Sequence, residues 1–167
     1  WMDKFFGDKA DKYRYKHIVD AFSFIPYGTI VDELQHIVYE NPDLTPAERD
    51  AEYLKLEKKY RPYLSFEGIP YLENGTRWQY QMHIYESPFY YIDYCLAQCV
   101  ALGFLGLSRA DFADALDKYL TFLRATGSVS FGELVEGAGL KPPFEAGALK
   151  EIAASSAEVI REVEKKI

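Results

Sequence analysis

The sequence predicts an all-α fold, and three observations carry this prediction. Apolar residues recur at intervals of three and four over several long segments, which is the spacing of one face of a helix. Two segments begin with the reciprocal pattern of a capping box, at Thr45 with Glu48 and at Ser130 with Glu133. No window alternates apolar and polar residues over a length that would predict a strand.

The first long helix is expected from about residue 9 to residue 39. Apolar residues between Ile18 and Val38 keep helical spacing over most of that length. Pro26 and Gly28 interrupt the pattern, which resumes at once. They therefore predict a kink or a short break rather than a loop.

A second helix is expected from Pro46 to about Tyr60. Thr45 caps its start, and Pro46 lies in the first turn, where the missing N–H would be unpaired in any case. Arg61 and the proline after it end the helix. Residues 63–76 hold two glycines and a proline and are expected to form a long ordered loop.

The next stretch, from Arg77 to Tyr94, contains five of the 14 tyrosines and one of the three histidines. A proline is tolerated in the first turn of a helix. We therefore expect a short helix that ends near His83 and a second helix that begins near Pro88. On that second helix Tyr91 and Tyr94 are three residues apart and share a face, which His83 can reach across the turn.

The remaining sequence predicts a continuation of this helix to about Leu107 and three further helices. Ser108 is expected to cap the next one, and Leu116, Tyr119, Leu120 and Leu123 are expected to form its inner face. The three helices are expected at about residues 109–125, 131–138 and 146–165.

The composition is that of an ordinary soluble globular domain, with 49% hydrophobic and 27% charged residues in a chain of 167. A net charge of −7 argues against nucleic acid as a partner. No apolar run is long enough to span a membrane, and no secretory signal is visible. Cys95 and Cys99 are expected to be buried reduced thiols, which favours a cytoplasmic protein. Because the first residue is Trp1, we expect the chain to belong to a longer polypeptide.

The strongest candidate for chemistry is the set His83, Tyr91 and Tyr94. A phenol keeps its proton at neutral pH and can donate it to a developing oxyanion. An imidazole can donate or accept according to its tautomer. The alternative is that the tyrosines are core residues whose hydroxyls lie at the rim.

The sequence offers no complete set of metal ligands. Glu33 and His36 form a Glu-x-x-His, but a di-metal bundle needs two copies on facing helices. Three clustered ligands, as a catalytic zinc requires, are found nowhere in the chain. Neither a nucleophile elbow nor a Gly-rich phosphate loop is present.

Four segments resemble oligoendopeptidase F, a branch of the thimet-oligopeptidase-like zinc peptidases. They are residues 25–42, the capped start at 45–49, the stretch 83–94 and the turn 142–147. The resemblance covers essentially the whole chain, and its most specific part runs from His83 to Tyr94.

This resemblance implies that residues 1–167 form a single helical domain, the C-terminal part of a larger, bowl-like catalytic domain that hydrolyses short peptides. In the family, zinc is held by a His-Glu-x-x-His helix and a Glu on the next helix, and neither occurs here. The chain alone is therefore expected to bind no catalytic zinc and to be inactive without the missing N-terminal part of the enzyme.

The resemblance also implies roles for particular residues. His83 matches the family's substrate-binding histidine, and Tyr91 and Tyr94 match its tyrosine pair, which stabilises the tetrahedral intermediate. A register through Tyr90 stays open, since related enzymes have one residue more between the histidine and the pair.

Two other interpretations stay open at this point. One is a non-catalytic helical domain that binds peptides and lacks the metal site. The other is a helical structural domain in which the tyrosines are core residues.

Overall fold

The computed structural model describes residues 1–167 and consists of helices and loops without a strand. The all-α prediction is confirmed. Two 3₁₀ turns lie at Gly7–Lys9 and Thr76–Tyr80. The α-helices are α1 (Met2–Phe6), α2 (Ala10–Glu40), α3 (Pro46–Tyr60), α4 (Pro70–Glu73), α5 (His83–Glu86), α6 (Ile92–Ala110), α7 (Phe112–Ala125), α8 (Phe131–Gly137) and α9 (Ala148–Glu164). None of them is both long and apolar enough to cross a membrane.

The longest helix, α2, runs through Pro26 without a gap. The short break expected there is absent. Proline removes a single backbone donor, and the other hydrogen bonds of a 31-residue helix continue on either side of it.

Both predicted capping boxes are confirmed. The Glu48 amide donates to the Thr45 hydroxyl over 3.3 Å, and the Thr45 amide donates to the Glu48 carboxylate over 2.8 Å. Ser130 and Glu133 repeat this exchange at the start of α8. Each box satisfies amides that a helix start leaves unpaired, and losing such a cap costs about 1 kcal/mol.

Three predicted helix boundaries are wrong. The helix around His83 begins at that residue instead of ending there, and α6 begins at Ile92, after the turn that contains Pro88. Ser108 lies inside α6, where its hydroxyl donates to the Leu105 carbonyl over 2.8 Å. Asp111 is the cap of α7 instead. A serine inside a helix can satisfy its hydroxyl on a preceding carbonyl, so it need not mark a helix start.

The chain divides into two compact units, Ser23–Cys95 and a second made of Trp1–Phe22 with Leu96–Ile167. That the whole chain forms a single domain stays a prediction.

The unit Ser23–Cys95 has a contiguous apolar core. Ile30, Val31 and Leu34 of α2 are fully buried, because they recur on one face of the helix. Tyr53 and Leu56 of α3, Trp78 of the 3₁₀ turn Thr76–Tyr80 and Ile84 of α5 pack around them. The loop residue Tyr91 belongs to the same core. The segment that carries the candidate site, residues 83–94, therefore contributes two residues to this core, Ile84 and Tyr91.

The other unit holds α1, the N-terminal part of α2, most of α6, and α7, α8 and α9. Gly106 of α6 lies against Ser155 of α9, and a Cβ at Gly106 would come within 2.7 Å of the Ser155 hydroxyl. The small residue thus permits a close helix contact. On α7 only Ala115 is buried. The expected inner face of α7 is wrong, since its four large apolar residues are exposed: Leu116, Tyr119, Leu120 and Leu123.

Candidate active site

Three aromatic side chains converge at the end of the Ser23–Cys95 core. The His83 ring meets the rings of Tyr91 and Tyr94 edge-on, with centroids 5.1 and 5.6 Å away. The Tyr91 and Tyr94 rings are 5.3 Å apart. Tyr90 stacks against His83 at the longer distance of 6.4 Å. The structure thus brings together all four residues that the sequence singled out.

The tyrosines differ in how far they are buried. Tyr91 is 8% exposed, whereas Tyr90 is 47% and Tyr94 39% exposed. A buried ring held in the core has little freedom, and an exposed ring can adjust to a ligand. Tyr91 is therefore the fixed wall of the cluster, and Tyr90 and Tyr94 form its open side.

The backbone between His83 and Tyr94 sets this arrangement. The Ser87 amide closes α5 on the His83 carbonyl over 3.0 Å. The Asp93 amide donates to the Tyr90 carbonyl over 3.1 Å, and the Tyr94 amide donates to the Tyr91 carbonyl over 3.2 Å. Tyr91 thus lies at the entrance of α6 and Tyr94 in its first turn, so that the two rings share one face.

The turn before Tyr90 is held by a buried glutamine. Phe89 adopts a left-handed conformation, with φ of 61°. Its amide donates to the side-chain oxygen of Gln35 over 2.7 Å, and the Gln35 nitrogen donates to the Val31 carbonyl over 3.1 Å. Gln35 is fully buried. A left-handed residue other than glycine is strained, and this hydrogen bond offsets part of the cost.

His83 is held by a second glutamine. The Gln81 side-chain nitrogen lies 2.6 Å from His83 Nδ1. On its other side, Gln81 accepts a hydrogen bond from the Tyr27 hydroxyl over 2.9 Å. The remaining nitrogen, Nε2, lies 3.4 Å from the Tyr94 hydroxyl. His83 thus has one nitrogen engaged tightly and the other facing the tyrosines.

The tyrosines keep their protons under ordinary conditions. Burial, together with the neighbouring Tyr27, Cys95 and Tyr94, raises the pKa of Tyr91 to about 12. The hydrogen bond with Tyr90 raises the pKa of Tyr94. Both side chains are therefore neutral hydroxyl groups at physiological pH and can donate to an oxygen ligand.

Glu33 and His36 do not come together as a metal pair. Glu33 accepts hydrogen bonds from Tyr60 and, over 2.7 Å, from the ammonium group of Lys59. His36 lies 3.5 Å from Asp32, one turn earlier on α2. No group of three His, Cys, Asp or Glu side chains could hold a metal ion. The residues of this chain therefore do not fit a catalytic zinc by themselves.

Three residues around the cluster have no signature in the sequence. Gln35, Gln81 and Tyr27 are each a single polar residue, and no motif or spacing marks them. The hydrogen bonds of Tyr27 with Gln81 and of Gln35 with Phe89 each join residues 54 apart. Such contacts follow from the packing and cannot be inferred from one sequence.

A model of peptidase family M3 matches residues 7–154. The chain belongs to peptidase family M3. A comparison with curated protein sequences gave no match.

Solved structures of similar proteins agree with this family. PZ peptidase A, solved with an inhibitor, is 45% identical with a TM-score of 0.91, and the match covers 100% of this chain and 30% of that one. A provisionally assigned oligoendopeptidase F is 47% identical with a TM-score of 0.91, covering 99% of this chain and 29% of that one. Another provisionally assigned oligoendopeptidase F, from Bacillus anthracis str. Ames, is 38% identical with a TM-score of 0.78. The match covers 99% of this chain and 26% of that one.

The M3 chain described here therefore spans less than a third of the length of those three proteins. The likeness extends over nearly all of its residues, which include the cluster around His83.

Proposed function

We propose that this chain supplies the substrate-carbonyl side of the active site in a zinc-dependent oligoendopeptidase that cleaves short peptides. The observation that carries the proposal is the convergence of His83, Tyr91 and Tyr94 at the end of a packed core. Membership of peptidase family M3 and the likeness to oligoendopeptidase F support it.

The proposed role follows from the donors that the cluster offers. Attack on a peptide carbonyl turns its oxygen into an oxyanion, which preorganised hydrogen-bond donors stabilise. The Tyr91 hydroxyl, with its pKa raised to about 12, does not give up its proton but shares it with that oxygen. His83 and Tyr94 add donors on the open side, and Tyr90 lines the approach as a substrate-binding residue.

The residues described here hold no group of three side chains that could bind a metal ion. We propose that the zinc ligands and the general base lie in a part of the intact peptidase outside these 167 residues. In this proposal the 167 residues alone neither hold the catalytic zinc nor cleave peptides. The partners of this chain are then a short peptide and the remainder of the same enzyme.

The test is Tyr91→Phe in the intact peptidase, measured with an internally quenched peptide. Loss of one oxyanion donor is expected to lower kcat by about 100- to 1,000-fold and to change KM little. Tyr85→Phe is the matched control, because Tyr85 lies in the same stretch with its ring against Trp78. An unchanged kcat in Tyr91→Phe would remove Tyr91 from the site.

Tyr90→Phe decides the register of the tyrosine pair. Its effect on kcat is expected to be smaller than that of Tyr91→Phe, because the Tyr90 ring is farther from His83 and more exposed. A larger effect in Tyr90→Phe would transfer the role to Tyr90. Peptide binding without any cleavage by the intact protein would instead support the non-catalytic alternative.

A further inference from the structure

We propose that Gln81 is a positioning residue that holds the neutral imidazole of His83 in the tautomer with its proton on Nε2. This inference rests on the proposed function of His83. The Gln81 side-chain nitrogen lies 2.6 Å from Nδ1. An amide nitrogen only donates, so that Nδ1 must accept and the ring proton must lie on Nε2.

The orientation of the Gln81 amide follows from Tyr27. The Tyr27 hydroxyl proton needs an acceptor, and the Gln81 oxygen lies 2.9 Å away. Two guanidinium groups, of Arg61 and Arg77, lie over the Tyr27 ring at 5.1 and 5.0 Å from its centroid. The Glu57 carboxylate also acts on Tyr27, but its two oxygens already accept from Tyr53 and Arg61. Guanidinium groups only donate. The Tyr27 proton is therefore directed to the Gln81 oxygen, which leaves the amide nitrogen for His83.

The chain of contacts has a rigid base. Arg61 and Glu57 form a buried ion pair, with side chains 7% and 3% exposed. The Tyr53 hydroxyl donates to the Glu57 carboxylate over 2.7 Å. A buried ion pair is stable only when its remaining polar atoms are hydrogen-bonded, which fixes the positions of its members. Through Arg61, this pair fixes the surroundings of Tyr27 and hence of Gln81.

The tautomer decides how many donors the cluster offers. With a proton on Nε2, His83 is itself a donor and does not accept the hydroxyl proton of Tyr94, which lies 3.4 Å away. In the other tautomer Nε2 would carry a lone pair and accept the Tyr94 proton. His83 and Tyr94 would then both be lost as donors to an oxyanion. Gln81 thus controls two of the three proposed donors.

The experiment replaces the donor at position 81 in the intact peptidase labelled with ¹⁵N-histidine. In Gln81→Glu the carboxylate can only accept. It keeps the hydrogen bond from Tyr27 but draws the imidazole proton to Nδ1. Gln81→Met removes both hydrogen bonds at similar volume. Gln79→Met is the control, since Gln79 is exposed and donates to Asp50 over 3.2 Å.

The expected result has two parts. At a pH where the imidazole is neutral, the ¹⁵N spectrum of the parent shows the His83 proton on Nε2, and that of Gln81→Glu shows it on Nδ1. The kcat of Gln81→Glu falls about tenfold or more, as expected when a catalytic histidine is held in the wrong tautomer. Gln81→Met shows a mixture of tautomers with a smaller loss, and Gln79→Met matches the parent in both measurements.

The failures of the two proposals are distinguishable. The role of Gln81 would be overturned if the His83 proton lay on Nδ1 in the parent or on Nε2 in Gln81→Glu. A loss of kcat in His83→Ala would still support the proposed function in that case. Conversely, a moved proton with unchanged kcat in both Gln81→Glu and His83→Ala would support the tautomer assignment and overturn the proposed function.

Discussion

His83 and His36 lie in the same unit and both contact aromatic rings, yet their surroundings differ. The His83 ring faces two tyrosines, and both of its nitrogens have polar neighbours within 3.4 Å. The His36 ring lies 4.9 Å from the phenyl ring of Phe89, and its polar neighbour is Asp32 at 3.5 Å. The role of a histidine is therefore set by the polar groups held around it.

The comparison explains why a motif alone was a poor guide. Glu33 and His36 have the spacing of a metal motif, but Glu33 is engaged by Lys59 and Tyr60. His83 belongs to no short metal motif, and it lies where a buried amide and a turn bring hydroxyl groups together. We expect four substitutions to test this contrast between the two histidines.

The largest effect is expected from His83→Ala. If the His83 cluster stabilises an oxyanion, kcat of the intact peptidase should fall by about 100- to 1,000-fold. His36→Ala should change kcat less than about twofold, because a half-exposed side chain outside the cluster is removed. Cleavage of an internally quenched peptide at saturating concentration measures kcat of both variants. Similar losses in the two variants would remove the distinction between the histidines.

The next effect is expected from Gln35→Leu. Leucine has no acceptor for the Phe89 amide, so that a part-buried donor loses its partner and the unfolding free energy falls by about 1–3 kcal/mol. Urea unfolding measures the change. Asn41→Leu is the control, since Asn41 donates to a carbonyl four residues earlier over 2.9 Å but is exposed. Equal losses in the two variants would contradict the proposed support of the turn.

A third effect concerns pH. Burial raises the pKa of Tyr91 to about 12 from the value of 10 that applies when it is unfolded. The neutral form is favoured by folding, so its contribution to stability is complete below pH 10 and is lost as the pH rises towards 12. The unfolding free energy of Tyr91→Phe should therefore fall less steeply across this window. Tyr80→Phe, at a site 85% exposed, should keep the slope of the parent.

The smallest effect is expected at Phe89, whose ring contacts His36 and whose backbone lies in the turn between His83 and Tyr91. Phe89→Gly relieves a left-handed conformation that costs about 1–2 kcal/mol but loses the ring contacts with His36 and Tyr39. The net change in stability should stay within about 1 kcal/mol. Phe89→Ala loses the same contacts and keeps the strain, so it should be less stable than Phe89→Gly. The reverse order in thermal unfolding would show that the turn is not strained.

Much of the fold could be predicted from the sequence because its signals are local. The capping boxes at Thr45 and Ser130 depend on residues three apart, and both are confirmed. The helix starts predicted near Pro88 and at Ser108 were wrong, because a proline or a serine is compatible with several local structures. The inner face of α7 was wrong for another reason: apolar spacing identifies a face but does not tell what covers it.

The candidate site was predictable only in part. Tyrosine spacing and the proximity of His83 to Pro88 pointed to the residues that converge in the structure. The amides of Gln35 and Gln81 were not predictable, since Gln35 binds Phe89 and Gln81 binds Tyr27, each 54 residues away in the sequence. Sequence patterns thus identified groups that can donate to a ligand, and only the packing identified the groups that orient them.

The position of Tyr91 also depends on the absence of a side chain at Gly28 of α2. A Cβ at Gly28 would lie 2.1 Å from the Cys95 sulfur and 3.6 Å from the Tyr91 ring. Within the M3 family, we therefore expect positions 28 and 95 to evolve as a pair. A relative with alanine at position 28 would need a smaller residue at position 95 or a displaced tyrosine ring at position 91. The residue at position 28 of α2 would then limit where the ring of Tyr91 can lie.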